Sequence, residues 1–421
     1  MSGPLSGVRI LEFSEIIAAP FAGMILSDMD AEVIKVEPPW GEPWRHQGAF
    51  MPTESRNYIS LNRGKRSLPL DLTKPEGRKI VYELIGTTDV VLINYRPDTP
   101  YNLGIDYETL SKLNPRLIYC HNTAFGLNGP DSYRPGYDII AQAMSGIMGS
   151  GGKLKDGLPQ TIGATAVADF SSGLSAAWAI CAALYAREKN GKGQKVETSL
   201  LGTALAIQTS RFLNIIDRDN EDRQQLLEEI DALRTSGTNW EDILEHYQSR
   251  RIVPINPYYR TYQTSDGVIA IGNLSDVLRR RTATVLGIDD PRFHPDYSPG
   301  DTDGNIIAQR VAEQAEDIFR QKSTQEWLTI LDGAGIPAGP VLFTEELENS
   351  EQMLANNLIL ELNHEKAGPI RMVGPLVTMT ETPLKPVKAS PTLGRDTADI
   401  LLTLGYRQAE IESLRELGAI L

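Results

Sequence analysis

The chain has 421 residues, of which 41 are Lys or Arg and 55 are Asp or Glu, so its formal net charge is −14. This length is sufficient for two or three domains, and the acidic balance disfavours general binding to nucleic acid or to an anionic membrane surface, because the mean field repels phosphate. The only two cysteines, Cys120 and Cys181, exclude a disulfide framework and a cysteine-rich zinc site.

The amino terminus shows no secretory signal pattern, and the longest apolar stretch, residues 174–186, is shorter than a membrane span. We therefore expect a soluble, cytoplasmic protein.

In the first 200 residues, short β-rich runs alternate with helical stretches. Strands are predicted over residues 8–13, 32–37, 90–94, 117–120 and 196–200, and helices over residues 20–27, 75–88 and 170–189. Strands that alternate with helices indicate an α/β fold whose mostly parallel sheet is covered on both faces.

The composition changes after residue 205. Residues 215–246 are rich in Asp, Glu and Arg, which is typical of a solvated helical linker. Residues 258–264 and 268–271 flank the turn Ser265-Asp266-Gly267, and this pattern predicts a β-hairpin. Amphipathic helical stretches follow to about residue 334, and the Pro- and Thr-rich residues 375–391 predict an extended segment.

Motifs for phosphate, metal and serine chemistry are missing. The turn after the first strand, residues 14–20, contains no glycine, so it lacks the dinucleotide-binding pattern, and no Walker A sequence occurs. No nucleophile elbow is found, and the five histidines are not at metal-ligand spacing. The sequence therefore predicts no metal site.

Asp169 stands out at the start of the predicted helix that begins near residue 170. One interpretation is an N-cap, in which the carboxylate accepts backbone N–H groups. The other is a nucleophile, since a helix N-terminus favours the anionic form of a carboxylate. A carboxylate attacks only activated electrophiles such as thioesters, and it needs donors that stabilise the developing oxyanion. Local sequence alone leaves both interpretations open.

Eight further segments follow one another along the chain: residues 4–13, 31–37, 62–67, 70–72, 94–97 (Asn-Tyr-Arg-Pro), 135–138 (Pro-Gly-Tyr-Asp), 191–196 and 335–341. Together with Asp169 and Gly173 they resemble the class III CoA-transferase family, which includes formyl-CoA transferase, carnitine CoA-transferases and related acyl-CoA racemases. Each segment alone is weak, but their common order over nearly the whole chain is specific.

The resemblance implies that Asp169 is the catalytic carboxylate. In the family it attacks an acyl-CoA thioester to form an aspartyl anhydride, and CoA then attacks the anhydride to form an aspartyl-CoA thioester. The acceptor acid reverses these steps. Coenzyme A is thus a thioester substrate, and no tightly bound cofactor is implied.

The resemblance also implies a CoA-binding set: Ile17, Ala18, Leu72, Thr73, Asn94, Tyr95, Arg96, Tyr137 and Asp138. Arg96 is the first candidate for the phosphates, because its guanidinium can bind phosphate oxygens in a bidentate manner. Lys65 and Arg66 are weaker candidates.

Tyr137 separates two branches of the family. Racemases carry His at this position as the base that removes the proton next to the thioester carbonyl, and a tyrosine is a poor base at neutral pH. The transferase branch is therefore favoured. A racemase or epimerase with another base, a non-catalytic acyl-CoA-binding protein and, last, a nucleotide-binding regulator remain as alternatives.

By resemblance, the architecture is a Rossmann-like large domain with a smaller α+β domain. Residues 1–205 form the first part of the large domain, residues 206–225 a linker, residues 226–330 the small domain, and residues 331–421 the return linker and the rest of the large domain. The family further implies an interlocked homodimer, with acyl-CoA and carboxylic acids as its other partners.

Overall fold

The computed structural model describes residues 2–250, 255–298, 304–384 and 386–421. Its strands are β1 (Arg9–Phe13), β2 (Glu32–Glu37), β3 (Ala49–Met51), β4 (Glu54–Ser55), β5 (Arg66–Pro69), β6 (Val90–Ile93), β7 (Ile118–Thr123), β8 (Leu154–Lys155), β9 (Leu158–Pro159), β10 (Gln194–Ser199), β11 (Tyr259–Gln263), β12 (Val268–Gly272), β13 (Ala338–Pro340), β14 (Ile359–His364) and β15 (Gly368–Val373).

Its helices are α1 (Ala18–Asp28), α2 (Pro43–His46), α3 (Arg56–Leu61), α4 (Pro75–Ile85), α5 (Asp98–Leu103), α6 (Tyr107–Leu113), α7 (Asp138–Met144), α8 (Ile147–Ser150), α9 (Val167–Asn190), α10 (Leu200–Ala206), α11 (Ile216–Thr235), α12 (Trp240–Ser249), α13 (Asp276–Leu286), α14 (Gly304–Phe319), α15 (Thr324–Gly333), α16 (Glu351–Ala355), α17 (Thr397–Thr403) and α18 (Gln408–Glu416). Short 3₁₀ helices cover Thr209–Arg211, Pro291–Phe293 and Thr344–Leu347.

The central sheet confirms the predicted parallel arrangement. Its strand order is β10-β7-β6-β1-β2-β5, and each neighbouring pair is parallel. Numbered one to six along the chain, these strands lie in the order 3-2-1-4-5-6 read from the β5 edge, which is that of the Rossmann fold. The sequence prediction missed β5, a four-residue edge strand that begins with Arg66.

Strand residues alternate between two apolar clusters, one on each face of the sheet. Leu11, Ile34 and Val91 point to the face covered by α4, α6, α17 and α18. Ile10 and Val33 point to the opposite face, which α1 and α9 cover. The carboxyl-terminal helices thus belong to the same core as the first strands.

Helix α9 is longer than the sequence pattern indicated. It spans 24 residues, and within the described part of the chain it is the one helix long and apolar enough to cross a membrane by length and composition. The expectation that the apolar stretch of residues 174–186 is too short to span a membrane was therefore wrong, because the helix that contains this stretch is longer. More than half of its most apolar window, 56%, is buried inside the protein, where Ala176 and Ile180 pack against the sheet. The core helix of a globular unit has the same pattern.

The chain divides into two compact units, one of residues up to Leu244 together with Leu354–Leu421 and one of Glu245–Met353. In the second unit, the predicted hairpin is present as the antiparallel pair β11 and β12, and β13 extends it to three strands. Helices α13, α14 and α15 complete its core, in which Phe319 contacts Tyr262 and Trp327.

The unit boundaries differ from the expected small domain of residues 226–330. Helix α11, in the charged segment, contains no buried residue and falls outside the second unit. At the other end, residue 330 lies inside helix α15, and β13 pairs with β12 beyond it, so the unit continues. Composition correctly indicated that the segment containing α11 is solvent-exposed. The carboxyl-terminal end of the second unit depends instead on the pairing of β13 with β12.

Candidate active site

A cavity of about 420 Å³ lies in the first unit at the carboxyl ends of the central strands. It is lined by Glu15, Ile16, Ala18, Val36, Glu37, Pro38, Pro39, Trp40, Leu70, Asp71, Leu72, Thr73, Asn94, Tyr95, Arg96, Thr99, Leu103, Asn122, Thr123, Ala124, Pro135, Gly136, Tyr137, Asp169 and Leu200. This volume is within the usual range of small-molecule sites.

The topology explains the position of the cavity. Strands β1 and β6 are neighbours, and the connections that follow them leave towards opposite ends of the sheet order. Ligands of open α/β sheets bind at such a switch point, outside the carboxyl ends of the strands. Here the turn after β1 contributes Glu15 and Ile16, and the turn after β6 contributes Asn94 and Arg96.

Asp169 is the third residue of α9 and does not cap its helix. The N-cap position is occupied by Ala166, which has no side-chain cap. The Asp138 carboxylate takes this role: its Oδ1 accepts the N–H groups of Ala168 at 2.7 Å and of Asp169 at 3.2 Å. The N-cap interpretation of Asp169 is therefore wrong, and its carboxyl group lines the cavity instead.

The surroundings of Asp169 favour its protonated form. The side chain is buried, with the residue only 8% exposed, and Asp138 carries a like charge beside it. Burial first, and the charge of Asp138 second, raise the pKa of Asp169 from 3.8 to about 7. A carboxylate whose pKa lies near neutrality is more basic and more nucleophilic than an exposed aspartate, yet it is still substantially ionised at neutral pH.

A close helix contact brings the start of α1 next to Asp169. A Cβ atom on Gly173, one turn after Asp169, would lie 2.5 Å from the carbonyl oxygen of Ala18. Ala18 is the first residue of α1, and Ile17 before it provides no side-chain cap. The uncapped start of a helix carries free N–H groups and a partial positive charge, and both stabilise anions. Glycine at position 173 is thus required by the packing of α1 on α9.

Eight of the ten residues predicted for catalysis and CoA binding line this one cavity: Ala18, Leu72, Thr73, Asn94, Tyr95, Arg96, Tyr137 and Asp169. The other two do not line it. Ile17 is buried, and Ile16 takes its place on the cavity wall. Asp138 is buried as the cap of α9, and its Oδ2 also accepts a hydrogen bond from Gln142 Nε2 at 2.6 Å.

Asn94 holds protein backbone. Its Oδ1 accepts the Glu15 N–H at 3.0 Å, and its Nδ2 donates to the Glu15 carbonyl at 2.8 Å. Both polar atoms of the Asn94 amide thus fix the turn after β1, and a contact of Asn94 with CoA stays a prediction.

The same turn contains an unusual backbone conformation. Ile16 has φ +70°, in the left-handed region that β-branched residues avoid. Such a conformation costs on the order of 1–3 kcal/mol and persists only when the surrounding contacts enforce it. The turn after β1 contains no glycine, yet one of its residues adopts a conformation that usually requires glycine.

The three residues predicted as candidates for phosphate binding lie in different environments. Arg96 lines the cavity and is exposed, but it is paired with Asp98, with 2.8 Å between Nη2 and Oδ2. Lys65 is fully buried and donates to Glu12, to the Pro20 carbonyl and to Asn62, each at 2.8 Å, so it cannot bind a phosphate. Arg66 forms ion pairs with Glu32 and Asp399 on the sheet edge.

Several lining residues lie outside the predicted CoA-binding set. Pro38 and Trp40 follow β2, Leu70 follows β5, and Ala124 follows β7. Trp40 is 67% exposed, although large aromatic side chains are usually mostly buried. The rule that ligands bind beyond the carboxyl ends of parallel strands could have identified these positions once the strands were placed.

Comparison with known proteins shows the family of the chain. The family model described as "CoA-transferase family III" matches residues 5–397. The chain is 34% identical to "Succinyl-CoA:glutarate CoA-transferase" of Mus musculus, covering 99% of this chain and 90% of that protein. It is also 34% identical to "Succinate--glutarate CoA-transferase" of Agrobacterium fabrum, with 95% and 96% covered.

Solved structures show the same fold. Rv3272 from Mycobacterium tuberculosis matches with a TM-score of 0.75 and 27% identity, over 95% of this chain and 99% of that one. A CAIB/BAIF family protein from Brucella suis matches with a TM-score of 0.73 and 29% identity, over 96% and 100%. Because the family model matches residues 5–397 and both relatives at 34% identity align over nearly the whole chain, the chain belongs to CoA-transferase family III and is a CoA-transferase.

Proposed function

We propose that this enzyme transfers CoA from an acyl-CoA to a carboxylic acid through covalent intermediates on Asp169. The observation that carries the proposal is a buried carboxylate that faces the strand-end cavity while its neighbour Asp138 satisfies the helix N–H groups. A carboxylate used only as a cap would occupy the place that Asp138 holds.

The chemistry then proceeds in four balanced displacements. The Asp169 carboxylate attacks the thioester carbonyl carbon, the C–S bond breaks, and CoA departs as its thiolate. The product is a mixed anhydride between Asp169 and the donor acid. The thiolate attacks the aspartyl carbonyl of the anhydride and releases the donor acid as its carboxylate. The acceptor carboxylate attacks the aspartyl-CoA thioester, and the released thiolate then attacks the acceptor acyl carbon. Asp169 is regenerated, and no net proton is consumed.

The surroundings of Asp169 support these steps. Each displacement passes through a tetrahedral oxyanion, which the free N–H groups at the start of α1 beside Gly173 can stabilise. Arg96 provides positive charge on the cavity wall for a CoA phosphate, in competition with Asp98.

The substrate class is a CoA thioester of a small carboxylic acid, with dicarboxylic acids first. Two relatives at 34% identity are named for succinyl-CoA or succinate and for glutarate. Another relative, 32% identical over 88% of this chain, is named "Acetyl-CoA:oxalate CoA-transferase". We therefore place succinyl-CoA with glutarate at the head of a test panel.

The proposal includes an interlocked homodimer, as the family resemblance implies. Helix α9 carries large exposed apolar side chains, among them Trp178 at 66% and Tyr185 at 65% exposure. A surface of this kind is typical of a protein interface, and a second copy of the chain is the proposed occupant. Light scattering on the purified protein tests it: a monomer at micromolar concentration would refute it.

Intact-protein mass spectrometry tests the mechanism. Brief incubation with succinyl-CoA, acetyl-CoA and other thioesters should give an acyl- or CoA-sized adduct on the peptide that contains Asp169. Asp169→Asn should give no adduct while still binding CoA. Absence of any adduct on the wild-type protein, together with solvent deuterium at the α-carbon of recovered thioester, would instead indicate a racemase.

A further inference from the structure

The strained turn at the cavity is held by a buried pair of charges that the proposed reaction does not use. Ile16, at φ +70°, donates its N–H to Oε2 of Glu42 at 2.8 Å. Glu42 is only 1% exposed and precedes α2. A buried carboxylate needs a partner charge, and Glu42 Oε1 lies 3.0 Å from Nζ of Lys35.

Lys35 holds the other end of the same turn. Its ammonium group donates to the Ser14 carbonyl at 2.8 Å and lies 3.2 Å from Oε1 of Glu12. Burial by itself would lower the pKa of Lys35, but the charges of Glu42 and Glu12 outweigh it and raise the pKa, so Lys35 is charged at neutral pH. One cation thus fixes Ser14 directly and Ile16 through Glu42.

The turn determines where helix α1 begins. Ile16 is two residues before Ala18, whose carbonyl contacts the Gly173 position one turn after Asp169. If Ile16 relaxed to negative φ, the start of α1 would shift against α9, and the free N–H groups would move relative to the Asp169 carboxylate. Errors of about 1 Å in such positions can reduce turnover a hundredfold.

We propose that Glu42, with its charge balanced by Lys35, is a positioning residue that keeps Ile16 in the left-handed conformation and so fixes the start of α1 beside Asp169. This inference rests on the proposed function, because it assigns Glu42 an effect on turnover through Asp169. Neither residue needs to touch the substrate.

The test uses glycine, which adopts positive φ without strain. Glu42→Ala should lower kcat at least tenfold with less change in KM. Ile16→Gly also removes a side chain from the cavity wall, so its own kcat is the reference for the double variant. In the Ile16→Gly background, Glu42→Ala should lower kcat less than threefold, since glycine no longer needs the carboxylate. Glu42→Gln keeps an acceptor for the Ile16 N–H and should be intermediate.

Glu54→Ala is the matched control, because Glu54 is a fully buried glutamate of the same unit that makes no bond to the turn. Its effect should not be rescued by Ile16→Gly. The inference is overturned if Glu42→Ala keeps wild-type kcat, if it lowers kcat equally in the wild-type and Ile16→Gly backgrounds, or if the Ile16→Gly background also removes the effect of Glu54→Ala. Glu42→Gln serves as the test variant if Glu42→Ala does not fold.

Hydrogen exchange separates this inference from the proposed function. Exchange of the Ile16 amide should accelerate at least tenfold in Glu42→Ala, whatever reaction the enzyme performs. Unchanged protection would refute the role of Glu42 even if wild-type adducts form. Lost protection of the Ile16 amide in Glu42→Ala, together with no adduct on the wild-type protein, would refute the covalent mechanism but support the positioning role of Glu42.

Discussion

Replacement of Asp169 by Asn should stabilise the protein, by an amount that depends on pH. Burial and the charge of Asp138 raise the pKa of Asp169 from 3.8 to about 7 in the folded protein. Between these values the unfolded chain has released the proton that the folded protein still holds. The free energy of unfolding of the wild type therefore falls as pH rises through this window. The carboxamide of the Asp169→Asn variant has no proton to release.

The magnitude follows from the width of the window. A difference of roughly three pKa units, at about 1.4 kcal/mol per unit, amounts to roughly 4 kcal/mol at pH 7 and above. The Asn variant should exceed the wild type by little near pH 4, and the difference should grow with pH and level off above about 7. At the same time the variant should lose transferase activity, because a carboxamide is not a competent nucleophile.

Urea unfolding of wild type and variant at pH 5, 6, 7 and 8 measures this difference. Asp222→Asn, at an exposed position of α11, is the control for a change of one acid. A constant offset between wild type and Asp169→Asn across these pH values would refute the reasoning, because a lost contact gives an offset whereas a shifted pKa gives a slope.

Three further outcomes are expected. The rate of transfer at low substrate should rise with pH as Asp169 ionises, with a midpoint near pH 7. Asp138→Asn should move this midpoint to lower pH while keeping the acceptor for the N–H groups of α9. Gly173→Ala should lower stability by roughly 1–3 kcal/mol and kcat roughly 10- to 100-fold, because its Cβ would lie 2.5 Å from the Ala18 carbonyl oxygen. Arg96→Ala should raise KM for CoA thioesters about tenfold with little change in kcat, and more so at low salt.

Matched variants make these outcomes specific. Gly333→Ala places a methyl group on a helix where nothing lies within 4 Å and should be neutral or slightly stabilising. Arg134→Ala removes an exposed, ion-paired arginine that is absent from the cavity lining and should leave KM unchanged. An Asp138→Asn profile that coincides with the wild type, a Gly173→Ala enzyme with full turnover, or equal effects of the two arginine variants on KM would contradict the respective argument.

A buried polar network connects the sheet to the cavity. Glu37 at the end of β2 accepts from Arg45 Nε at 2.7 Å, and Arg45 lies over the ring of Tyr58 at 3.6 Å. Arg45 and Tyr58 are fully buried. Removing one partner of such a pair leaves an uncompensated charge, so the network fixes the loop between β2 and β5 that carries the cavity wall at Pro38.

The local pattern of the sequence determined the core architecture. The β-rich run of residues 32–37 and the apolar run of residues 90–93 form strands that the parallel sheet buries on both faces, and the intervening helices impose the parallel direction. The ordered segments around Asp169 likewise indicated the family and eight residues that share one cavity. These signals are local, or they are the sum of many local segments.

Tertiary structure alone decided which polar groups serve the fold. Asp138 takes the cap of α9 across 30 residues, Asn94 holds Glu15 across 79, and Lys65 is buried against Glu12 across 53. A side chain hydrogen-bonds whichever partner the packed helices and strands bring within about 3 Å. The sequence identifies the donors and acceptors, but only the folded arrangement decides whether they bind each other or remain available to a substrate.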